Sequence, residues 1–253
     1  MKIIPAGAIM VAGLVTGFAL PLQAQEGNVS MGYFVTTDLA NVVQLEEGMR
    51  GHVDWHAQQN DPWPGFIYQA MHGGVEYVWV SPNHSWADFD NPSVDSHADM
   101  VDFAERAGSH TTGIDIRTWV TWEEVSMSPA PDQVVPIWQV IEWDLRATAE
   151  GVEALRSAFG KVKAAFEQQG IPNRYTVNEV VGIDGGPQMF VAIAHDSMGE
   201  LDEGEPGALQ GLLAETYGHA EAIQITRTFE EYLTPTANRI WVLRPDLSHM
   251  PGM

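Results

Sequence analysis

Apolar residues recur at helical spacing in one long stretch of the second half of the chain. Between Ala149 and Gln169 the apolar positions are Val152, Leu155, Phe159, Val162 and Phe166. Separations of three and four residues place these side chains on one face of a helix. Gly170 and Pro172 follow, and both residue types end helices. The pattern therefore predicts an amphipathic helix over residues 149–169.

Shorter apolar runs, rich in β-branched and aromatic residues, predict strands in both halves of the chain. The predicted strands are Tyr33–Val35, Phe66–Met71, Tyr77–Val80, Ile137–Ile141, Tyr175–Val181, Met189–Ile193 and Arg239–Leu243. Glycine pairs at Gly73-Gly74 and Gly185-Gly186 supply the backbone freedom that a tight hairpin needs. Further helices are predicted over Asp95–Ala107 and Ala208–Ala222, so each half has the order βαββαβ.

Several short matches between the two halves indicate an internal duplication. The matches are Gln58-Gln59 with Gln168-Gln169, Pro62 with Pro172, Gly73-Gly74 with Gly185-Gly186, and Ile116–Trp119 with Thr226–Phe229. Self-similarity at a nearly constant shift is typical of repeated structural units. The last match makes Arg117 and Arg227 equivalent. In so acidic a chain we interpret them as structural ion-pair partners in preference to anion ligands.

The order βαββαβ is that of the ferredoxin-like unit, an antiparallel sheet with both helices on one face. Other notable stretches are Asp61–Pro64, Ser81–Phe89 and Trp241–Ser248. With these stretches and the glycine hairpin, the sequence resembles the dimeric α+β barrel superfamily. It is most similar to tandem members related to NIPSNAP and stress-responsive barrel proteins. The resemblance implies an α+β fold in which two ferredoxin-like repeats form one barrel.

The first residues have the composition of a secretory signal peptide. Met1-Lys2 precedes an uncharged apolar run that ends before Gln25, and we predict cleavage after Ala24. The mature protein is then periplasmic or secreted. A retained membrane anchor is the alternative, but prolines and glycines interrupt the run. The predicted limits are 1–24 for the signal peptide, 25–30 for a flexible mature N-terminus, 31–133 and 134–248 for the two repeats, and 249–253 for a C-terminal tail.

The composition narrows the range of partners. The chain has 34 acidic and 12 basic residues, a formal charge of -22, and no cysteine. Such a surface repels phosphate backbones and anionic lipids, which argues against nucleic acid and, after signal cleavage, against membrane binding. The absence of cysteine excludes disulfides and thiolate metal sites. We expect a small-molecule ligand and either a monomer or a homodimer.

Two histidines on the predicted first helix are the sharpest local pattern. His52 and His56 are four residues apart, a spacing that places both imidazoles on one helical face, where they can share a metal ion. No glutamate follows His52, so the pattern is not the zincin motif. A metal site needs a further ligand, such as His72, His84 or an acidic residue. The alternative interpretation is a partly buried packing pair.

Histidine and tryptophan are concentrated in the first half, which makes that half the better candidate for a site. The predicted ligand-binding residues are His52, Trp55, His56, Trp63, His84 and Trp86. His84 is also a candidate general base or ligand at the mouth of the barrel. We interpret Ser85 as a helix cap instead of a nucleophile, because no Gly-x-Ser-x-Gly motif accompanies it. The sequence assigns no catalytic residue.

Three functions are compatible with these residues. The favoured one is an exported barrel that binds a small, mostly apolar or aromatic molecule between its helices and its sheet. The second is a metal- or haem-dependent oxidoreductase or monooxygenase, because the superfamily includes haem-dependent chlorite dismutases and cofactor-free monooxygenases. The third is a structural or subunit-interaction module. The sequence requires no cofactor and contains no haem-attachment motif, so a metal ion or haem belongs to the second function.

Overall fold

The computed structural model describes residues 27–130, 133–146, 148–181, 186–203 and 207–251. The predicted signal peptide and most of the second glycine turn lie outside these residues. Within the described ranges, no helix combines the length and the apolar character that crossing a membrane requires.

The first half contains four strands and two helices in the predicted order. They are β1 (Val29–Thr37), α1 (Val42–Gln58), β2 (Phe66–Ala70), β3 (Val75–His84), α2 (Ser96–Arg106) and β4 (Gly113–Thr121). The second half contains β5 (Ile137–Leu145), α3 (Ala149–Gln169), β6 (Tyr175–Val181), β7 (Gln188–His195), α4 (Ala208–Tyr217), α5 (His219–Tyr232) and β8 (Leu233–Leu243). The helix predicted over Ala208–Ala222 is therefore two helices, and the break lies at Gly218, whose φ is +84°.

All eight strands form one closed antiparallel barrel in the order β1-β3-β2-β8-β5-β7-β6-β4. The first half supplies the ferredoxin-like order β4-β1-β3-β2, and the second half supplies the same order as β8-β5-β7-β6. The halves join where β2 pairs with β8 and where β4 pairs with β6. The predicted α+β class, with two ferredoxin-like units closing one barrel within a chain, is confirmed.

The described ends of the chain are more ordered than the predicted domain limits imply. Val29 and Ser30 were placed in a flexible N-terminus, but both are buried in β1, where Val29 pairs with His84 and Val120. His249 was placed in a tail, but it is buried and pairs with Gly65 across an isolated bridge. Burial of these residues against the barrel explains both differences.

Strand register corrects one of the matches between the halves. Ile116–Trp119 lies on β4, whereas Thr226–Phe229 lies on α5, so Arg117 and Arg227 are not equivalent. Arg117 pairs with Gly32 of β1, and the corresponding pair in the second half is Val140 of β5 with Arg239 of β8. The structural counterpart of Arg117 is therefore Arg239. The short match failed because common residues recur by chance in a strand and in a helix.

Alternating residues of each strand face two different layers. On the outer side, Val35 of β1 packs with Leu45 and Met49 of α1 in the first-half core. On the inner side, Phe34 lies against Trp241 of β8, with ring centroids 5.9 Å apart. Because successive strand residues point to opposite faces, the barrel has a core under its helices and a separate apolar lining in its lumen.

Candidate functional site

The barrel lumen contains a cavity of about 640 Å³. Its walls are mainly aromatic and aliphatic. The aromatic lining residues are Phe34, Phe66, Tyr68, Trp119, Trp138, Phe190 and Trp241. Within the described residues, none of the six predicted ligand-binding residues lines this cavity. The expectation that the ligand cavity lies between the helices and the sheet is therefore wrong. Closure of the barrel leaves the free volume on the other face of the sheet, in the lumen.

Arg117 and Glu142 line one part of the cavity wall and belong to a larger charged cluster. Arg117 places Nη1 3.3 Å from Glu142 Oε2, and its guanidinium lies 4.6 Å from the Phe34 ring centroid. Arg239, the counterpart of Arg117, contacts the other oxygen of Glu142 at 3.7 Å and Glu76 at 2.6 Å. These pairs are partly shielded from water, which strengthens their interaction relative to an exposed pair. The lumen therefore offers fixed donors and acceptors beside an apolar wall.

Two further polar groups in the lumen are satisfied within the barrel. Asn178 is buried and accepts a hydrogen bond from the Thr121 hydroxyl at 2.8 Å. The Tyr68 hydroxyl donates to the Val135 carbonyl and accepts from Trp138 Nε1. Burial raises the pKa of Tyr68 to about 12, against a small opposing effect of the Trp138 hydrogen bond. Tyr68 is therefore a neutral phenol at physiological pH.

The lumen does not fit a haem held by imidazole or thiolate. Among the described residues that line the cavity there is no histidine, and the chain has no cysteine. Imidazole and thiolate are among the usual axial ligands of haem iron, and the phenol of a tyrosine is a rarer one. The Tyr68 hydroxyl already has two hydrogen-bond partners. No step of a mechanism is therefore assigned to haem in this cavity.

A second cluster lies outside the barrel, between α1 and α2. His52 Nε2 is 3.1 Å from Asp99 Oδ1, and His56 Nε2 is 3.3 Å from the same oxygen. The two Nε2 atoms are 3.3 Å apart. Both imidazoles are buried, whereas 28% of the Asp99 side chain is exposed. We call these three residues the His-His-Asp cluster.

The other nitrogen of each imidazole contacts a second carboxylate. His52 Nδ1 lies 2.9 Å from Asp102 Oδ2, and His56 Nδ1 lies 2.7 Å from Asp61 Oδ2. An ionised carboxylate can only accept hydrogen bonds, so both Nδ1 atoms carry the proton and donate. When an imidazole of this tautomer is neutral, its Nε2 presents a lone pair to the other imidazole and to Asp99.

The carboxylates around the His-His-Asp cluster favour positive charge on His56, whereas burial opposes it. Burial lowers the pKa of His56, but hydrogen bonds and charges of Asp99 and Asp61 outweigh burial and raise that pKa above its ordinary value. Burial likewise opposes ionisation of Asp99, yet His52 and His56 lower the pKa of Asp99 well below its usual range. A carboxylate among imidazoles is therefore ionised throughout the physiological range.

Aromatic side chains surround the His-His-Asp cluster. The Trp55 ring stacks on His52 with centroids 5.9 Å apart, and Trp79 of β3 lies 5.1 Å from the His56 ring. Phe103 of α2 contacts the His52 ring at 5.4 Å. Burial, and then the charge of Asp99, raise the pKa of Tyr33 on β1. The Trp55, Trp79 and Phe103 rings pack against the imidazoles and help to bury them.

The remaining predicted residues lie in two other places. The His84 ring lies tilted against the Trp63 ring, with centroids 4.2 Å apart, and His84 Nε2 is 2.8 Å from the Ser81 hydroxyl. Burial lowers the pKa of His84. Trp86 is 57% exposed, and His72 is exposed in the turn between β2 and β3. Of the four histidines considered as ligands, the structure brings together only His52 and His56.

Ser85 has the local role that the sequence predicts. Its hydroxyl donates to Asp88 at 2.9 Å, and the same carboxylate accepts from the Ser85 amide at 2.7 Å. The contact from the Ser85 amide to the Asp88 carboxylate is one half of a capping box at the start of the short 3-10 helix Trp86–Asp90. The capping interpretation therefore agrees with the geometry.

Sequence reasoning missed the carboxylates that complete the His-His-Asp cluster. Asp99 and Asp102 are three residues apart, so both lie on the face of α2 that meets α1. Asp61 follows α1 directly, where Asn60 has a positive φ of 55° and turns the chain back toward His56. The pair on α2 was a usable signal, because it has helical spacing like that of His52 and His56.

Comparison with known proteins identifies the fold. No protein-family model matches the chain, and no curated protein matches its sequence. An anthrone oxidase-like protein has a similar structure, with 14% identity and a TM-score of 0.58 over 90% of this chain and 95% of the other. A mutant chlorite dismutase from Candidatus Nitrospira defluvii has 13% identity and a TM-score of 0.52 over 88% and 94% of the two chains.

A candidate monooxygenase from Lactobacillus acidophilus NCFM is similar as well. Its identity is 15% and its TM-score is 0.50, over 89% of this chain and 97% of the other. At such identities the similarity establishes the fold and leaves the activity to be argued from the residues of this chain. The protein has the fold of the dimeric α+β barrel proteins, with both ferredoxin-like halves in one polypeptide.

Proposed function

We propose that the protein binds a planar, mostly apolar small molecule in the barrel lumen. The observation that carries this proposal is the aromatic-walled cavity of about 640 Å³. Cavities of about 300–1,000 Å³ with apolar walls and a few fixed polar groups are typical of small-molecule sites. Kinship with tandem NIPSNAP-like or stress-responsive barrel proteins stays a prediction.

Paired aromatic rings make the lumen suitable for a flat ligand. Phe34 and Trp241 meet edge to face, and so do Trp119 and Phe190, whose centroids are 5.4 Å apart. A further ring that contacts one of these pairs edge to face or offset contributes about 0.5–1.5 kcal/mol beyond its buried area. The ligand therefore gains most of its affinity from stacking and burial.

Arg117 and Glu142 give the ligand an orientation. The Arg117 guanidinium donates hydrogen bonds and the Glu142 carboxylate accepts them, so a ring that carries both a carbonyl and a hydroxyl group can satisfy both residues. Hydroxylated polycyclic ketones have this chemistry. One structural neighbour is described as anthrone oxidase-like, and anthrone is a polycyclic ketone without the hydroxyl group.

Ligand titration tests the proposal. We expect anthrone and a hydroxylated anthraquinone to bind with a stoichiometry near one and to quench tryptophan fluorescence. Ala192→Phe fills the lumen from β7 and should abolish binding. Trp119→Ala removes one stacking ring and should weaken binding about tenfold.

Trp86→Ala is the matched control, because Trp86 is exposed and away from the lumen. It should leave affinity unchanged. Failure of every planar probe to bind, or equal binding by wild type and Ala192→Phe, would contradict the proposal.

An oxidoreductase is the second candidate function, and the His-His-Asp cluster is the observation that favours it. Two imidazoles and a carboxylate are a common ligand set for redox-active iron. The cluster and the lumen lie on opposite faces of the sheet formed by β1 and β3, because Trp79 faces the cluster while Val78 and Val80 face the cavity. A substrate of this activity would approach from the helix side and would not be the lumen ligand.

A further inference from the structure

We infer that His52, His56 and Asp99 form a binding site for one divalent first-row transition-metal ion. The inference is independent of the lumen ligand, because the site lies on the other face of the sheet. It rests on the positions of three donor atoms, on the carboxylates behind the two imidazoles, and on the open edge at Asp99.

When both imidazoles are neutral, the three donor atoms converge without a proton donor among them. Nδ1 of each imidazole donates to Asp102 or Asp61, which leaves a lone pair on each Nε2. These two lone pairs and one oxygen of Asp99 form a triangle with sides of 3.1, 3.3 and 3.3 Å. Three electron-rich atoms at such separations repel one another unless a cation lies between them.

The size of the triangle fits a coordinated ion. Zinc binds histidine nitrogen and carboxylate oxygen at about 2.0–2.2 Å. Two such donors at about 100° around one ion lie about 3.2 Å apart, which matches all three sides. Two nitrogens and one oxygen suit Zn²⁺, Fe²⁺ or Co²⁺, whereas Ca²⁺ and Mg²⁺ prefer oxygen donors alone.

Carboxylates behind the imidazoles hold them in the metal-binding tautomer. Asp102 is anchored by Arg106 Nε at 2.9 Å, and Asp61 accepts hydrogen bonds from the Ser93 hydroxyl and the Trp63 amide. A carboxylate that accepts the second imidazole proton is the usual support of a metal-bound histidine. Both histidines have this support, which packing of two rings alone does not require.

The site is open on one side. Asp99 keeps 28% of its side chain exposed, while the imidazoles are 6% and 7% exposed. The three residues leave at least one coordination position of a bound ion for water or a substrate, as in metal sites that perform catalysis. The strongly negative net charge of the protein attracts cations toward this edge.

Metal titration of the purified full protein tests the inference. After treatment with a chelator, Co²⁺ should bind with a stoichiometry of one and give visible absorption bands, and Zn²⁺ should displace it. Asp99→Asn and His56→Gln should each weaken Co²⁺ binding at least about a hundredfold, because each removes a ligand. Asp102→Asn should weaken binding by about ten- to a hundredfold through His52.

Two histidines outside the cluster provide matched controls. His72→Gln changes an exposed imidazole and His84→Gln a buried one, and both variants should bind Co²⁺ like the wild type. Ala192→Phe should also keep its metal while losing the lumen ligand, so the two proposals can fail separately. Circular dichroism of each variant shows whether it is folded.

A different chemistry for the cluster would overturn the inference. If the His-His-Asp cluster binds protons and no metal ion, the folded wild type will take up no stoichiometric Co²⁺ or Zn²⁺. Nitrogen NMR will then show no change at Nε2 of His52 or His56 when metal is added. Undiminished Co²⁺ binding by a folded Asp99→Asn variant would overturn it as well, because the metal would then lie elsewhere.

Discussion

Asp61 connects segments that lie far apart in the chain. Its side chain accepts from His56 Nδ1 at 2.7 Å and from the Trp63 amide at 3.0 Å, and its carbonyl accepts from His249 Nε2 at 2.9 Å. The residue is 5% exposed. A buried carboxylate with several charge-assisted partners contributes more than a surface one, because its loss leaves those partners unsatisfied.

We therefore expect Asp61→Asn to lower the free energy of unfolding by about 1–3 kcal/mol in the absence of metal. Urea denaturation followed by circular dichroism measures this change. Asp54→Asn is the control, because Asp54 is exposed on α1, the helix that precedes Asp61, and its effect should be within about 0.5 kcal/mol. Equal effects of the two substitutions would show that Asp61 has no special role.

The sequence predicted single residues of the His-His-Asp cluster better than their assembly. His52 and His56 could be found because four-residue spacing is a local property of a helix. Asp99 lies on a different helix, and its approach depends on how α1 and α2 pack. The spacing of Asp99 and Asp102 places them on one face of α2, but it does not show which element that face meets, so the sequence alone could not identify Asp99 as the third residue of the cluster.

At the scale of elements, a glycine sets the distance between α1 and α2. A Cβ atom on Gly48 would lie 2.4 Å from the backbone oxygen of Arg106. A Cβ atom on Gly51 would instead meet the flexible guanidinium of Arg106, with Nη1 at 2.9 Å. The close approach at Gly48 is what allows Asp99 and Asp102 to reach the two histidines.

Gly48→Ala should therefore push the two helices apart and destabilise the protein by about 1–3 kcal/mol. Gly51→Ala should be neutral or slightly stabilising, because alanine has a higher helix propensity than glycine and a side chain can move aside. Thermal and urea unfolding of both variants measures the difference. A Gly48→Ala variant as stable as Gly51→Ala would refute the close packing.

The elements themselves were largely predictable because their signals are local. The bounds of α3 agree with the sequence pattern, since the Thr148 hydroxyl accepts from the Gly151 amide at its start and Gly170 takes a φ of +63° at its end. The lumen was not predictable in the same way. Both faces of a barrel strand are apolar here, so alternation does not reveal which face encloses free volume.

At the scale of the whole molecule, Arg244 links the end of β8 to the first half. Its Nη2 lies 3.0 Å from Glu46 Oε2 on α1, and the Tyr77 hydroxyl donates to the other oxygen of Glu46 at 2.7 Å. The Arg244 hydrogen bond is the main reason that the pKa of Glu46 is lowered. Leu247, three residues later, is fully buried in the first-half core.

This arrangement predicts acid sensitivity. Because the folded-state pKa of Glu46 lies below its unfolded value of about 4.3, the interaction contributes fully above that pH and is lost as pH falls through the folded-state pKa. Glu46→Gln should cost about 1–2 kcal/mol at pH 7. It should also reduce the loss of stability between about pH 5 and pH 3.

Urea unfolding at several pH values measures both effects. Glu47→Gln is the control, because Glu47 is exposed on the same helix. If Glu46→Gln and Glu47→Gln show the same pH dependence as the wild type, the link through Arg244 does not contribute to stability.

Because the barrel closes within one polypeptide, its two halves need not have the same sequence. When Gln58-Gln59 is aligned with Gln168-Gln169, His52 and His56 correspond to Val162 and Phe166. Val162 is buried among Ala158, Leu212 and Ile225, with Phe166 packed against them. A barrel of two identical subunits would contain the buried histidines and carboxylates in both copies. In this chain only the first half contains them, and the matching region of the second half is an apolar core.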